Sequence, residues 1–590
     1  MQSGNRQLEQ SLQSAMLCIQ QNDFARAESL LDGIRQAPDA RVPYFFALMA
    51  QARGETEDAI AAFSRSAELD NFNPELTSDC IFKLIGYKAF DIAARLNEQA
   101  ALKTPGYFGH HFCSGLIHLH RNELELAVSE FETAGKLRPD LAECHILAGQ
   151  ALHMLGRLSD AEDAFLQALR LAPNNAGLHE NLAALFFDCE VFQASYEHAK
   201  RAVTLANQSA TAWSLLSTAA RQLRLLDEAM TAAERACLLA PENPECRRSR
   251  GLILKEFGKM QMAAQDFDFA TSKRFVASSE NNSHLKEHRF YSRAKMEHDI
   301  EQFDHLEKIH GDGKFSSLAD RYREILKALP ESSRTEILPI PPALFAGMQQ
   351  HFNRLLHLQP SHYSGTALSG SLDTNEVEKD YFARSPGITW IDNLLSPEAL
   401  AALRRYCLES TIWFDFNHSN GYLGAVFENG FTDPLLLQIC DELKFKFPGI
   451  FGPYPVMQMW AFKYDSQLQG IQLHGDVAAI NLNFWITPDE ANLDENSGGL
   501  RIWDKAAPAD WSFNEFNSGS DEAQARVRKF LADNQANEIV VPYRQNRAVV
   551  FNSDLFHATD HFHFKEGYEN RRLNITMLFG LRNSSIPTPK

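Results

Sequence analysis

Residues 149–173 read GQALHMLGRLSDAEDAFLQALRLAP, and they set the fold of the first half of the chain. Ala161, at the centre of this stretch, belongs to a ladder of small residues at 59, 93, 127, 161, 195, 229 and 263, each step being 34. Every rung is Ala except Ser195, and Ala27 precedes the ladder by 32 residues, an irregular first repeat. Four positions after six of the seven rungs stand Phe63, Phe131, Phe165, Ala199, Ala233 and Phe267. Seven after stand Ser66, Ala134, Ala168, Ala202, Ala236 and Ala270. Twelve before stand Ala47, Gly115, Gly149, Ala183, Ser217 and Gly251, with Ile81 as the exception. Offsets of four and seven fall on one helical face, and small side chains there let paired helices approach closely. Pro139, Pro173 and Pro241, twelve after a rung, then stop the second helix of a pair, because proline lacks an amide and clashes with the preceding turn.

A helix–turn–helix unit recurring every 34 residues resembles the tetratricopeptide repeat (TPR) family over roughly residues 10–275. The resemblance implies an α-solenoid whose concave groove takes a peptide or protein partner. The alternative is a spacer or a dimerisation arm with no ligand in the groove, and the extended surface of the superhelix favours binding over it.

The rest of the composition narrows the possibilities. The 590 residues are 44% hydrophobic and 23% charged, which suits several globular domains rather than a disordered chain. With 57 Lys and Arg against 76 Asp and Glu, the net charge of −19 repels phosphate backbones, so no nucleic-acid partner is expected. No stretch reaches 18 uninterrupted apolar residues and the N-terminus MQSGNRQLEQSLQSAMLCIQQ has no signal-peptide pattern, so no membrane association is expected. Nine scattered cysteines without a CxxC pair fit free thiols in a reducing compartment, and a cytoplasmic location is the expectation.

Between residues 276 and 384 the 34-residue phase lapses while a helical pattern persists in EHDIEQFDHLEKIH and DRYREILKAL. This segment reads as a helical bridge, with residues 361–380 as a Ser/Gly-rich loop. From 385 to 590 the pattern becomes β-rich. Strands are expected at 388–395, 456–464, 478–487, 499–504, 538–543, 547–553 and 571–580, with a helix opened by Ser396 and Pro397. In 478–487, Asn481, Asn483, Trp485 and Thr487 share one face. In the last strand Arg572, Asn574 and Thr576 do the same. Such faces line either a hydrophilic pocket or a solvent-exposed sheet.

His474-Gly475-Asp476 bears on that choice. A His and an Asp two residues apart, joined by a second His, can form the 2-His-1-carboxylate set that leaves positions open on Fe(II). The tripeptide alone carries little, since His310-Gly311-Asp312 repeats it in the helical bridge, where it reads as a turn at a helix end. The copy at 474 is followed by a strand, then Gly498-Gly499-Leu500, then FNSDLFH ending in His557, then Arg571-Arg572 at the head of the last strand.

That order resembles the Fe(II)/2-oxoglutarate-dependent dioxygenases over residues 385–585, specifically the prolyl-hydroxylase-like type. The resemblance implies a double-stranded β-helix (jelly-roll) domain, giving a multidomain α + β chain. It implies His474, Asp476 and His557 as Fe(II) ligands, with His561 and His563 as rivals for the third position. It also implies a basic residue on the last strand that holds 2-oxoglutarate. Arg572 is preferred to Arg571 because it shares the polar face with Asn574 and Thr576. Tyr464 is either a further cosubstrate contact or a core residue. Asn483, Trp485 and Arg501 are additional pocket candidates. The insertion 504–537, with Trp511 and a helix near DEAQARVRKFLADN, is either a rim over the site or a packing elaboration. The activity implied is hydroxylation of a C–H bond by O2 with 2-oxoglutarate as cosubstrate, on a peptide or protein recruited by the repeats. The alternatives are a small-molecule hydroxylase, a non-catalytic TPR scaffold and a cupin-like binder.

Overall fold

The computed structural model describes residues 2–275 and 289–582, apart from 419, 467, 469, 509, 512–516, 518 and 519. Residues 276–288 of the expected bridge, and parts of the insertion, lie outside the described residues. The chain divides into two compact units, Met1–Ala232 and Ala233–Lys590.

The first unit is helical throughout, and its regular part alternates helices of 13 and 14 residues: Phe108–His120 with Leu124–Leu137, Ala142–Met154 with Leu158–Leu171, Ala176–Asp188 with Phe192–Leu205. The rungs Ala59, Ala93, Ala127, Ala161 and Ser195 are fully buried. Ser195 is tolerated there because its hydroxyl donates to the Ala183 carbonyl at 2.8 Å. The glycines twelve residues before a rung have a mechanical role. A Cβ added to Gly115 or Gly149 would lie 2.6 Å from the ring of Phe131 or Phe165. Glycine in one helix therefore makes the space that phenylalanine in the next one fills, whereas Ala183 is matched in sequence by the small Ala199. The turn within each pair needs a left-handed residue, and positions 54, 88, 122, 156, 190, 224 and 258 all adopt φ between 58° and 77°. Only Gly54, Gly156 and Gly258 are glycine, so the 34-residue period persists in the backbone where the residue type varies.

The second unit begins with further helices of the same lengths and ends in antiparallel sheets. Within it, the pair Pro244–Glu256 and Met260–Arg274 repeats the glycine–phenylalanine match, since a Cβ added to Gly251 would lie 2.7 Å from the Phe267 ring. This pair packs on the β-region through Phe267 against Phe427, with ring centroids 5.4 Å apart, and through an ion pair between Lys255 and Glu428. The helices Arg293–His310 and Lys314–Ala328 follow, and the two-residue strands β1 (Phe290–Tyr291) and β2 (Leu338–Pro339) pair with each other. The stretch expected as a loop to residue 380 contains instead the helix Thr374–Ala383. Asp373 caps it by accepting from the Glu376 amide at 3.0 Å, a start signal hidden behind the Ser/Gly-rich sequence before it.

The larger sheet has six strands in the order β3 (Ile388–Ile391), β9 (Ala548–Asn552), β6 (Ile480–Trp485), β11 (Arg572–Phe579), β5 (Val456–Tyr464) and β4 (Leu423–Val426). The smaller has β10 (Leu555–Thr559), β7 (Leu500–Ala506) and β8 (Glu538–Val541). All neighbours run antiparallel. The short strands β4 and β10 were not expected from the sequence: β4 has four residues with Gly421 and Gly424 around it, too few for a period to show. Every residue of β6 and β11 is buried, so their polar faces do not meet solvent. Register then aligns those faces, with Thr576 opposite Asn483 and Trp460, Asn574 opposite Phe462, and Arg572 opposite Tyr464.

Candidate metal centre

The HxD turn, β10, the aromatic face of β5 and the buried polar faces of β6 and β11 surround a cavity of about 170 Å³. The segment before Asp476 is stitched to β10, because the His474 and His557 amides each donate to the other's carbonyl, at 3.0 and 2.8 Å. This pairing sets the two imidazoles with ring centroids 4.2 Å apart. Each ring is oriented by its own backbone: Nδ1 of His474 donates to the Gln472 carbonyl (2.8 Å), and Nδ1 of His557 to that of Leu555 (3.1 Å). Both Nε2 atoms are thereby left as acceptors, as a metal-ligating imidazole requires. Nε2 of His557 lies 3.4 Å from Asp476 Oδ2, Nε2 of His474 lies 3.9 Å from Oδ1, and one ligand atom from each of the three residues falls within 4.8 Å of the others. Adjacent ligands of a first-row ion stand about 3 Å apart, so the trio needs only a small contraction to close on one.

Burial, reinforced by the neighbouring His557, pushes the His474 pKa down to about 4, which keeps the imidazole neutral at ordinary pH. Burial pushes the Asp476 carboxyl up, but contacts with His557, His474 and Asn481 outweigh it and hold the group ionised. Behind Asp476 runs a chain of amides. Asn481 donates to Asp476 Oδ2 (2.6 Å), Asn483 to Asn481 (2.5 Å), and Asn574 and Thr576 to Asn483 (3.0 and 2.7 Å).

The two arginines of 571–572 part ways. Arg571 pairs with Glu301 of the helix Arg293–His310 (2.7 Å) and with Asp465 (3.2 Å). Arg572 faces the cavity and is 1% exposed. Its Nε and Nη2 donate to the carbonyls of Gly498 and Gly499, at 2.7 and 3.2 Å, while Nη1 is buried without a hydrogen-bond partner. The rings of Tyr464, Trp485 and Phe562 lie 4.9, 5.6 and 5.7 Å from the guanidinium carbon, and no carboxylate among the described residues pairs with it. Burial pushes the Tyr464 hydroxyl up, so it stays protonated. Asn574 Oδ1 is also buried without a partner. The cavity thus holds an unmatched cation and an unmatched acceptor, which is costly in an apolar interior unless a ligand answers them.

Among the sequence-derived candidates, His474, Asp476, His557, Tyr464, Asn483, Arg572 and Asn574 all line this cavity. Trp485 lies beside Arg572, outside the lining. Arg501 does not belong to it, pairing instead with Glu538 on an exposed face of β7. His561 and His563 are exposed on the loop beyond β10, away from the cavity lining. The tripeptide at 310 is a helix end: Gly311 takes φ 66° as the C-cap and Asp312 accepts from the Lys314 amide at 3.0 Å. In the insertion, Trp511 packs in a cluster with Phe530 and Phe556. The insertion also braces the HxD turn, with Gln524 donating to the Leu473 carbonyl (2.5 Å) and Asn517 to that of Gly475 (3.0 Å). Neither residue could be found from the sequence, because no spacing links an insertion to a turn some 40 residues away. Tyr422 was missed with its strand. Asn481 was visible on the polar face, but its link to Asp476 depends on the loop between them.

Comparison with known proteins supports the repeats. The tetratricopeptide repeat family matches residues 142–175. Similar solved structures include MamA 41-end from Desulfovibrio magneticus RS-1 (21% identity, covering 28% of this chain and 92% of that one, TM-score 0.26). YrrB, "a TPR protein with an unusual peptide-binding site", is 20% identical over 31% of this chain and 93% of its own, with TM-score 0.27. A tetratricopeptide repeat protein from Parabacteroides merdae is 13% identical over 42% of this chain and 99% of its own, with TM-score 0.35. No curated protein sequence matches the chain significantly. No helix among the described residues is long and apolar enough to cross a membrane. The chain therefore carries a tetratricopeptide repeat at residues 142–175 within a helical array, and a β-rich region in antiparallel sheets.

Proposed function

We propose that the β-rich region is a double-stranded β-helix with Fe(II)/2-oxoglutarate-dependent dioxygenase activity. It hydroxylates a C–H bond of a peptide or protein that the TPR array recruits. The observation that carries this reading is the presence, in one cavity, of a 2-His-1-carboxylate trio and a buried guanidinium with a free N–H and no carboxylate of its own. Two imidazoles and one carboxylate suit Fe(II) and leave coordination positions open. A guanidinium fork suits the distal carboxylate of a small diacid, and the cavity, at about 170 Å³, suits a molecule of that size better than a large cofactor.

In this reading His474, Asp476 and His557 hold the metal and Arg572 holds the cosubstrate carboxylate, flanked by the Tyr464 hydroxyl and Asn574. When bound, Fe(II) and 2-oxoglutarate supply the oxidising power: O2 is consumed, the cosubstrate loses CO2 to become succinate, and one oxygen atom enters a substrate C–H bond. The chain's own residues supply the rest. The amide chain from Asn481 to Thr576 fixes Asp476, the backbone carbonyls of Gln472 and Leu555 fix both histidine tautomers, and the aromatic rings of Trp460 and Phe462 keep water from the reacting bond.

The test is succinate formation from 2-oxoglutarate by protein loaded anaerobically with Fe(II), after oxygen is admitted. His474→Ala should abolish succinate and metal binding, and His310→Ala should leave both intact. If the metal-loaded protein neither forms succinate nor binds 2-oxoglutarate by calorimetry, the reading fails.

A further inference from the structure

We propose that the substrate group entering this cavity is cationic, a lysine- or arginine-like side chain, read by an aromatic wall with Asp415 as its counter-charge. The inference rests on the dioxygenase reading and adds the substrate class. Three aromatic side chains above the metal-ligand trio line the cavity: Tyr422, Trp460 and Phe462. Tyr422 and Phe462 meet edge to face with centroids 4.8 Å apart, and Trp460 lies 6.0 Å from Phe462. His418 stacks on the outer side of Tyr422, with centroids 4.0 Å apart and rings 17° from parallel.

Beside this wall, outside the residues that line the cavity itself, stands a carboxylate: Gly424 lies opposite Phe462, and Asp415 opposite Gly424. Asp415 and Gly424 exchange both backbone hydrogen bonds, at 3.2 and 2.7 Å. A Cβ at Gly424 would sit 3.2 Å from Asp415 Oδ2 and 3.3 Å from the Phe462 ring, so only glycine lets the carboxylate lie against that ring. Asp415 accepts one side-chain hydrogen bond, from His418 Nε2 at 3.1 Å, and about a third of its side chain is exposed. No lysine or arginine among the described residues pairs with it. Trp460 Nε1 is buried without a partner in the same wall, a donor available to a substrate carbonyl.

Ring faces beside a carboxylate attract a cation by two additive routes, the ring quadrupole and the ion pair. An apolar side chain entering here would strip water from Asp415 and leave it only the hydrogen bonds from His418 and the Asn417 backbone, which is unfavourable. An acidic one would meet both Asp415 and Asp476. The small cavity favours an unbranched chain that can pass the rings.

The experiment uses full-length protein loaded with Mn(II) and 2-oxoglutarate, titrated calorimetrically with acetyl-Gly-Xaa-Gly-amide peptides in which Xaa is Lys, Arg, norleucine, Gln or Glu. The Lys or Arg peptide should bind about tenfold or more tighter than the norleucine and Gln peptides. Asp415→Asn should erase that preference with Mn(II) and 2-oxoglutarate affinity unchanged, and Asp415→Lys should move it to the Glu peptide. Equal binding of the norleucine peptide, selectivity that survives Asp415→Asn, or no binding of either cationic peptide while 2-oxoglutarate still binds would each overturn the inference and leave the dioxygenase reading standing. Failure of the wild type to bind 2-oxoglutarate would instead refute that reading, and this inference with it.

Discussion

Arg571 and Arg572 are adjacent in sequence and opposite in surroundings, and under the proposed function replacing each by methionine should separate ligand binding from stability. In the Arg572→Met variant the carbonyls of Gly498 and Gly499 lose their donors, at about 1–3 kcal/mol each. Removing a buried cation that has no carboxylate partner offsets this by about 1–4 kcal/mol. The two effects oppose, so folding stability without ligand should fall by about 1.5 kcal/mol at mid-range values and by no more than about 5 kcal/mol. Binding has no such compensation. Losing the cationic half of a buried charge pair costs about 2–5 kcal/mol, so 2-oxoglutarate affinity should fall at least about 30-fold and as much as about 5,000-fold. Arg571→Met should do the reverse. It breaks the pairs with Glu301 and Asp465, but Asp465 keeps Arg334 at 3.0 Å and Glu301 is more than a third exposed. The expected loss is therefore at the low end for a buried pair, about 2–3 kcal/mol, with 2-oxoglutarate affinity near wild type. Denaturant unfolding and calorimetric titration of the Mn(II)-loaded proteins measure both quantities. Loss of binding in Arg571→Met with retention in Arg572→Met, or retention in both, would refute the assignment of the cavity arginine.

Three further outcomes follow from named contacts. Gly149→Ala should destabilise the repeats despite alanine's helix advantage of about 1 kcal/mol, because its methyl meets the Phe165 ring at a cost of about 1–3 kcal/mol. In a Phe165→Ala background the same change should become stabilising, and an unchanged sign in chemical denaturation would show that the glycine–phenylalanine match is incidental. Asn481→Ala should weaken Mn(II) or Co(II) binding by about 10–100-fold, read by metal titration, since it removes the donor that holds Asp476; unchanged affinity would mean that the amide chain only packs. His298 is fully buried, and burial, then Lys463, Arg571 and Lys295, hold its pKa well below 6.5. Below pH 6.5 the unfolded imidazole takes a proton that the native one refuses, so its contribution to stability is lost as pH falls. Urea unfolding between about pH 7.5 and 5.5 should show a shallower decline in His298→Gln than in wild type, and parallel declines would assign the acid limb elsewhere.

The repeats were legible from the sequence alone because each helix pair packs by local rules that recur every 34 residues. The rungs Ala59 to Ser195 could be identified before any contact was known, and they are buried for the reason their size suggested. In the β-rich region, alternation identified the polar faces of β6 and β11, and the order of motifs singled out His474, Asp476, His557 and Arg572. Whether those faces met solvent or one another was not legible, since a period of two says which side chains share a face and nothing of what covers it. Only the tertiary structure decided that both faces are buried around one cavity, that Arg572 is left without a carboxylate while Arg571 is satisfied by Glu301, and that Asp415 lies beside Phe462 across Gly424. It also decided that residues of the 504–537 insertion brace the HxD turn. The physical reason is range: a helix pair encodes its own partner within one repeat, whereas a strand's neighbours and a cavity's unmatched charge arise from segments brought together across more than a hundred residues.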